Sequence, residues 1–125
     1  MITALAAVGG GLGALCRYAV GGWVQRRTGS LRPWGTAVVN LSGTFVLGVF
    51  AGYLAGHGHL DADLSPVTVG FLGGYTTFST WMVETLSLSG EGGSAGLRAG
   101  AMNLAVPTIA GLVLAAAGYA AGTLA

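Results

Sequence analysis

The residues best equipped for chemistry lie in one run, Gly73-Gly74-Tyr75-Thr76-Thr77-Phe78-Ser79-Thr80-Trp81. Two adjacent glycines are poor helix formers, and hydroxyl side chains compete for the backbone's own hydrogen bonds. The run therefore predicts a break in a helix. A break frees main-chain carbonyl oxygens, and freed carbonyls coordinate cations; a ligand-free kink is the alternative. A second polar feature is Asn40, which shares a helical face with Thr36 and Thr44 at four-residue spacing. It either packs two helices through a hydrogen bond or lines a polar path. Arg17 and Glu84 are lone charges in apolar runs, and a structural ion pair or snorkelling to the interface accounts for them better than catalysis does. No nucleophile–base set, HExxH helix or phosphate-cradling loop occurs, so the chain reads as a non-enzyme.

The elements that must hold these groups follow from composition. Of 125 residues, 53% are hydrophobic and 7% are charged. A soluble domain is about 25% charged, so this chain lacks the polar surface to cover a water-facing globule. Lysine is absent and the net charge is +1, which argues against a nucleic-acid partner, since phosphate binding needs clustered basic residues. Cys16 is the only cysteine; it allows no intrachain disulfide and is expected to be a small buried thiol. His57 and His59 beside Asp61 and Asp63 read as a solvated loop rather than a metal site.

Four long apolar stretches occur, about residues 1-24, 34-56, 64-88 and 99-125, and the remaining charges fall in the three short connections. A helix needs about 20 apolar residues to cross the hydrocarbon core. No basic residue precedes the first stretch, which is too long for a signal-peptide core, so it reads as a retained span. Hydrocarbon offers the backbone no partners, so spans must be helices or a closed barrel, and four long spans do not make a barrel. The expected fold is an all-α integral membrane protein: one domain of four transmembrane helices, the third broken mid-membrane. Small residues four apart recur in every span (Gly9 and Gly13; Gly48, Gly52 and Gly56; Gly70 and Gly74; Gly118 and Gly122). They predict close helix packing, within the chain and against a second four-helix subunit.

These motifs together resemble the Fluc fluoride channel family, also called CrcB. The resemblance runs over most of the chain. It is carried by Gly9-Gly10-Gly11-Leu12-Gly13-Ala14 through Arg17-Tyr18, by Gly35-Thr36, Val39-Asn40 and Gly43-Thr44-Phe45 through Gly48, and by Gly73 to Thr80 with Glu84 following. The last block is the specific one. The resemblance implies an antiparallel dimer in the cell membrane that exports fluoride passively and holds a structural, non-transported sodium ion. Carried onto this chain, the sodium ligands are the backbone carbonyls of Gly73 and Thr76, the pore asparagine is Asn40, and the first pore phenylalanine is Phe78. Thr36, Thr77, Ser79, Thr80 and Trp81 are further pore-lining candidates, their hydroxyl and indole groups offering hydrogen-bond donors to an anion. The chain departs from the family pattern at Trp81, where a second phenylalanine is usual. It departs again at Asn103 and Pro107, which fall where a tyrosine and a serine are usual.

Charge adds a separate expectation. With four spans, the first and third connections share one side of the membrane, and Arg26, Arg27, Arg32 and Arg98 all lie there, against no arginine or lysine on the other. Cations in short loops set orientation, so both termini are expected outside the cytoplasm. A chain with one fixed orientation needs an antiparallel partner of opposite bias, so a heterodimer with a paralogous chain is expected over a homodimer. Two other classes remain: a non-conducting companion subunit of such a heterodimer, and a small proton-coupled multidrug exporter. The exporter requires a membrane-embedded carboxylate, and the first two spans have none.

Overall fold

Alanine-, leucine- and glycine-rich runs with few charges become helices throughout the computed structural model, which describes residues 2–57, 66–90 and 92–125. The order is α1 (Ile2–Thr28), α2 (Trp34–Gly56), α3 (Pro66–Tyr75), α4 (Ser79–Gly90) and α5 (Ser94–Leu124). No strand occurs among the described residues, as the all-helical reading requires. Residues His59, Asp61 and Asp63, and the expected start of the third span at residue 64, lie outside the described residues.

Helices α1, α2 and α5 are each long and apolar enough to cross a membrane. By contrast α3 has 10 residues and α4 has 12. At ~1.5 Å per residue each falls short of a ~30 Å hydrocarbon core by itself. Several boundaries differ from the sequence expectation, and α4 runs past residue 88 to Gly90. Helix α1 runs past Val24 to Thr28, and α5 begins at Ser94, ahead of residue 99. Hydropathy marks where lipid ends, whereas a helix ends where its hydrogen bonds do. For α1 the stop is Gly29, whose φ of 57° suits glycine and whose N–H donates to the Gln25 carbonyl at 3.2 Å. Arg26 and Arg27 sit in this last turn, where cations favour the negative end of the helix dipole.

The bundle is built from glycine seams. On α2, a Cβ at Gly48 or Gly52 would overlap the carbonyls of Ala115 and Tyr119, and on α5 one at Gly118 or Gly122 would overlap those of Phe45 and Val49. The α1–α3 seam works the same way, with Gly70 against Ala6, Gly74 against Gly10, and Gly13 against Phe71. Gly35 against Gly21 joins α1 to α2. Backbone thus meets backbone, the packing mode of helices in lipid, where burial of apolar side chains offers little driving force. Among the described residues the buried apolar side chains are Val24, Val39 and Leu72, whereas Leu15, Leu86 and Leu112 lie on the outside, as does Cys16, against the expectation of a buried thiol.

The α1–α2 connection hangs on one residue. Gln25 Nε2 donates to the carbonyls of Ser30 (2.6 Å) and Arg32 (3.0 Å), and Gln25 Oε1 accepts the Gly35 N–H at 3.2 Å. Pro33 makes no side-chain cap, so this amide satisfies one of the orphan donors at the start of α2.

Candidate ion-path residues at the junction of α3 and α4

The two glycines before the junction serve different ends. A Cβ on Gly74 would overlap the Gly10 carbonyl, whereas one on Gly73 would meet nothing. Gly74 is therefore required by packing, and the surface at Gly73 is open. The α3 ladder continues to Thr76, whose N–H donates to the Leu72 carbonyl at 3.0 Å and whose hydroxyl donates to the same oxygen at 2.9 Å.

The ladder then gives way, for an identifiable reason. The Thr77 N–H, which an unbroken helix would give to the Gly73 carbonyl, goes to Asn40 Oδ1 at 2.8 Å, and Asn40 Nδ2 donates to the Thr77 carbonyl at 2.9 Å. An amide side chain on α2 thus pairs with both backbone polar groups of one junction residue, Thr77. Thr44 holds Asn40 in turn, donating to its carbonyl at 2.8 Å. Helix α4 restarts with the Met82 N–H on the Phe78 carbonyl at 2.9 Å, and Thr77 Oγ1 accepts the Thr80 N–H at 3.3 Å. That last bond takes the donor an unbroken helix would give to the Thr76 carbonyl, which accepts instead from Arg17 Nη1 at 3.3 Å. The carbonyls of Gly73 and Thr76 are therefore both released from the helical ladder.

Glu84 Oε1 accepts the Thr36 hydroxyl at 2.6 Å, and its buried Oε2 has no protein partner among the described residues. Arg17 and Glu84 do not pair with each other among the described residues: each takes a neutral partner. They do share a cavity of about 600 Å³, into which Thr36, Thr77 and Thr80 also face. Asn40 and Thr44 line a second cavity of about 250 Å³, with Trp81 and Thr108. The Asn40 amide faces the second, largely apolar cavity, and its partner Thr77 lines the first; one of the two Asn40 N–H groups remains beyond the Thr77 bond.

Phe78 is 69% exposed on the face of this single chain. Its ring meets Trp81 edge to face, with centroids 6.1 Å apart at 88°. Ser79 is exposed beside it. Trp81 differs from the expectation of a free donor, because its indole N–H is taken by the Asn103 carbonyl on α5 at 2.8 Å. Other contributors escape sequence reasoning. Ser42 Oγ and the Tyr75 hydroxyl lie 3.0 Å apart and tie the end of α3 to α2, and Thr85 joins α4 to α5. Each is one partner of a pair distant in sequence, and neither partner alone signals the other. His57 closes α2 by donating its N–H to the Tyr53 carbonyl at 3.1 Å. No group of three or more metal-ligating side chains occurs among the described residues.

Known proteins bear on this arrangement. The family model described as CrcB-like protein, Camphor Resistance (CrcB), matches residues 4–119. A fluoride-specific ion channel FluC of Rhizobium leguminosarum bv. trifolii is 46% identical over 89 residues, covering 70% of this chain and 71% of its own. Symbiobacterium thermophilum has two relatives. Its fluoride-specific ion channel FluC 1 is 39% identical over 120 residues, 94% of each chain. Its FluC 2 is 45% identical over 87 residues, 69% of this chain and 71% of its own. The apolar spans and this match, which runs through all five helices, make the chain a membrane protein that belongs to the CrcB family.

Proposed function

We propose that this chain is one subunit of a fluoride-selective channel in the cell membrane, letting fluoride leave the cytoplasm passively. In this reading α3 and α4 together form the third of four spans, broken in mid-bilayer, and a second four-helix subunit packs antiparallel against the first. The observation that carries it is the pair of hydrogen bonds between the Asn40 amide and the backbone N–H and C=O of Thr77. Irregular backbone survives at membrane depth only where protein or a cavity surrounds it, and this junction borders a cavity lined by Arg17, Thr36, Thr77, Thr80 and Glu84. Relatives named fluoride-specific ion channel support the choice of ion.

The chemistry follows from the donors. Fluoride is small and strongly hydrated, so a selective path must offer replacement donors and exclude larger anions. Arg17 and Arg26 border the larger cavity and favour entry of an anion. The Thr80 hydroxyl accepts from Thr77 at 3.1 Å and keeps its own hydrogen to donate; the Ser79 hydroxyl and the second Asn40 N–H add two more donors. The exposed ring of Phe78 presents a positive edge and contributes without a full charge.

The carbonyls of Gly73 and Thr76 fit a structural sodium ion, since hard oxygens released from a helix are its usual ligands. The space beside Gly73 is open to a second subunit's oxygens. When bound, the ion supplies a fixed positive charge that lowers the free energy of a nearby anion. Its ligands bind and orient it, and it is not transported.

A second reading, a non-conducting companion in a heterodimer, is favoured by Trp81, whose only donor is already used. The arginine bias favours a partner of opposite orientation, and the occurrence of FluC 1 and FluC 2 in one organism supports a paired arrangement. Fluoride efflux from vesicles, with chloride as the control, tests these readings. The chain is reconstituted alone and then with a paralogue of opposite arginine bias. Efflux in either case supports the channel, and efflux only with both chains assigns a heterodimer. No fluoride efflux in either case overturns the proposal.

A further inference from the structure

Helix α5 contains Pro107 in its interior. Proline has no N–H, so the carbonyl four residues earlier, that of Asn103, is deprived of its helical donor. This is the oxygen that receives the Trp81 indole N–H, at 2.8 Å. The Asn103 side chain completes a circuit: Nδ2 donates to Thr85 Oγ1 at 2.8 Å, and the Thr85 hydroxyl donates to the Trp81 carbonyl at 2.8 Å. Thr85 is buried, and Gly100 gives α5 the room to approach, since a Cβ there would overlap the Ser89 hydroxyl. The three positions that depart from the family pattern, Trp81, Asn103 and Pro107, are therefore parts of one device.

The device stands beside the proposed path. Pro107 lies between two cavities, lining the one of about 250 Å³ that holds Asn40 and Trp81, and also the one of about 140 Å³ that reaches Arg32. From Trp81 the constraint passes to Phe78 through their edge-to-face contact. We infer that Trp81 is a positioning residue: its indole is tied to the carbonyl that Pro107 orphans, and this tie sets the wall between the two cavities and the orientation of Phe78. Positions 81 and 107 then act as a pair. A donor at 81 is needed only while 107 is proline.

The inference rests on the fluoride-channel reading for its functional half, and the test separates the two. Three variants are compared with the natural chain, each in the assembly that conducts: Trp81→Phe, which keeps a ring and removes the donor; Pro107→Ala, which returns a backbone N–H to the Asn103 carbonyl; and the two combined. Fluoride efflux is measured per reconstituted channel. Indole N–H exchange at Trp81 is followed by NMR in detergent on the natural chain and on Pro107→Ala. The expected result is slow indole exchange in the natural chain and fast exchange in Pro107→Ala. Trp81→Phe lowers efflux by about five-fold, and the combined variant returns to within about two-fold of the natural rate, a coupling of the size that touching residues show. Equal losses in Trp81→Phe and the combined variant would overturn the inference, as would indole exchange that ignores Pro107→Ala. Absence of efflux from the natural chain counts against the channel reading instead, and indole exchange then decides the tie alone.

Discussion

Asn40 shows how far one side chain can be read from its type. Its place on a polar face was legible; that it would hold the backbone N–H and C=O of a residue between two other helices was not, because Thr77 is 37 positions away. Asn40→Asp keeps an acceptor for the Thr77 N–H but removes the donor to its carbonyl and sets a negative charge against the anion. Fluoride efflux is expected to fall by more than about ten-fold, equivalent to ~1.4 kcal/mol, with assembly unchanged on a sizing column. Efflux at the natural rate would remove Asn40 from the path. Thr36 carries a different expectation. Its hydroxyl is the one protein donor to Glu84 among the described residues, so Thr36→Val leaves a carboxylate with neither oxygen bonded. Thermal stability in detergent should drop by about 1–3 kcal/mol, the penalty of an unsatisfied buried polar group. An unaltered melting curve would mean that water already serves that oxygen. Arg17 and Glu84 admit two readings in the sequence, an ion pair or snorkelling to the interface; among the described residues they do not pair, since the Thr76 carbonyl and the Thr36 hydroxyl take them.

Helices are legible from composition because a chain with so few charges has no other way to satisfy its backbone in lipid. Their ends are less so, since Gly29 and the Gln25 amide decide where α1 stops and α2 starts, and neither enters a hydropathy sum. The double glycine marks positions 73 and 74 as weak for a helix, yet the ladder persists to Thr76 and yields only where Asn40 competes for an N–H. The two glycines can be told apart by alanine. Gly74→Ala would drive a methyl into the Gly10 carbonyl, whereas Gly73→Ala meets open space. Overpacking of this kind costs about 1–3 kcal/mol, so Gly74→Ala should lower the melting temperature of the detergent-purified chain and Gly73→Ala should not. Equal destabilisation would show that Gly73 is needed for backbone freedom rather than for access.

Across the whole molecule, the four arginines of the connections gather at one end, where α1 and α4 finish and α2 and α5 begin. Cysteines added at each terminus, on a background without Cys16, should react with an impermeant reagent added outside intact cells and be protected from one confined to the cytoplasm. Labelling from both sides in equal measure would show that the chain inserts either way, which favours a homodimer. In the proposed dimer the second subunit's contribution is the part least legible in one chain, since it would meet side chains such as Phe78 that stand out from this one. The meeting of main chains along α2 and α5 has a mechanical corollary. Neither rod can creep along the other, because a single step of ~1.5 Å would bring a side chain into the notch that a glycine occupies. The pair behaves as a rigid girder, and a conduit fixed to it should stay open without a gating stroke. Stretching or thickening the bilayer should then leave the fluoride current within about two-fold of its starting value, since mismatch costs only fractions of a kcal/mol per Å. A conduit that opened by sliding would follow membrane thickness steeply.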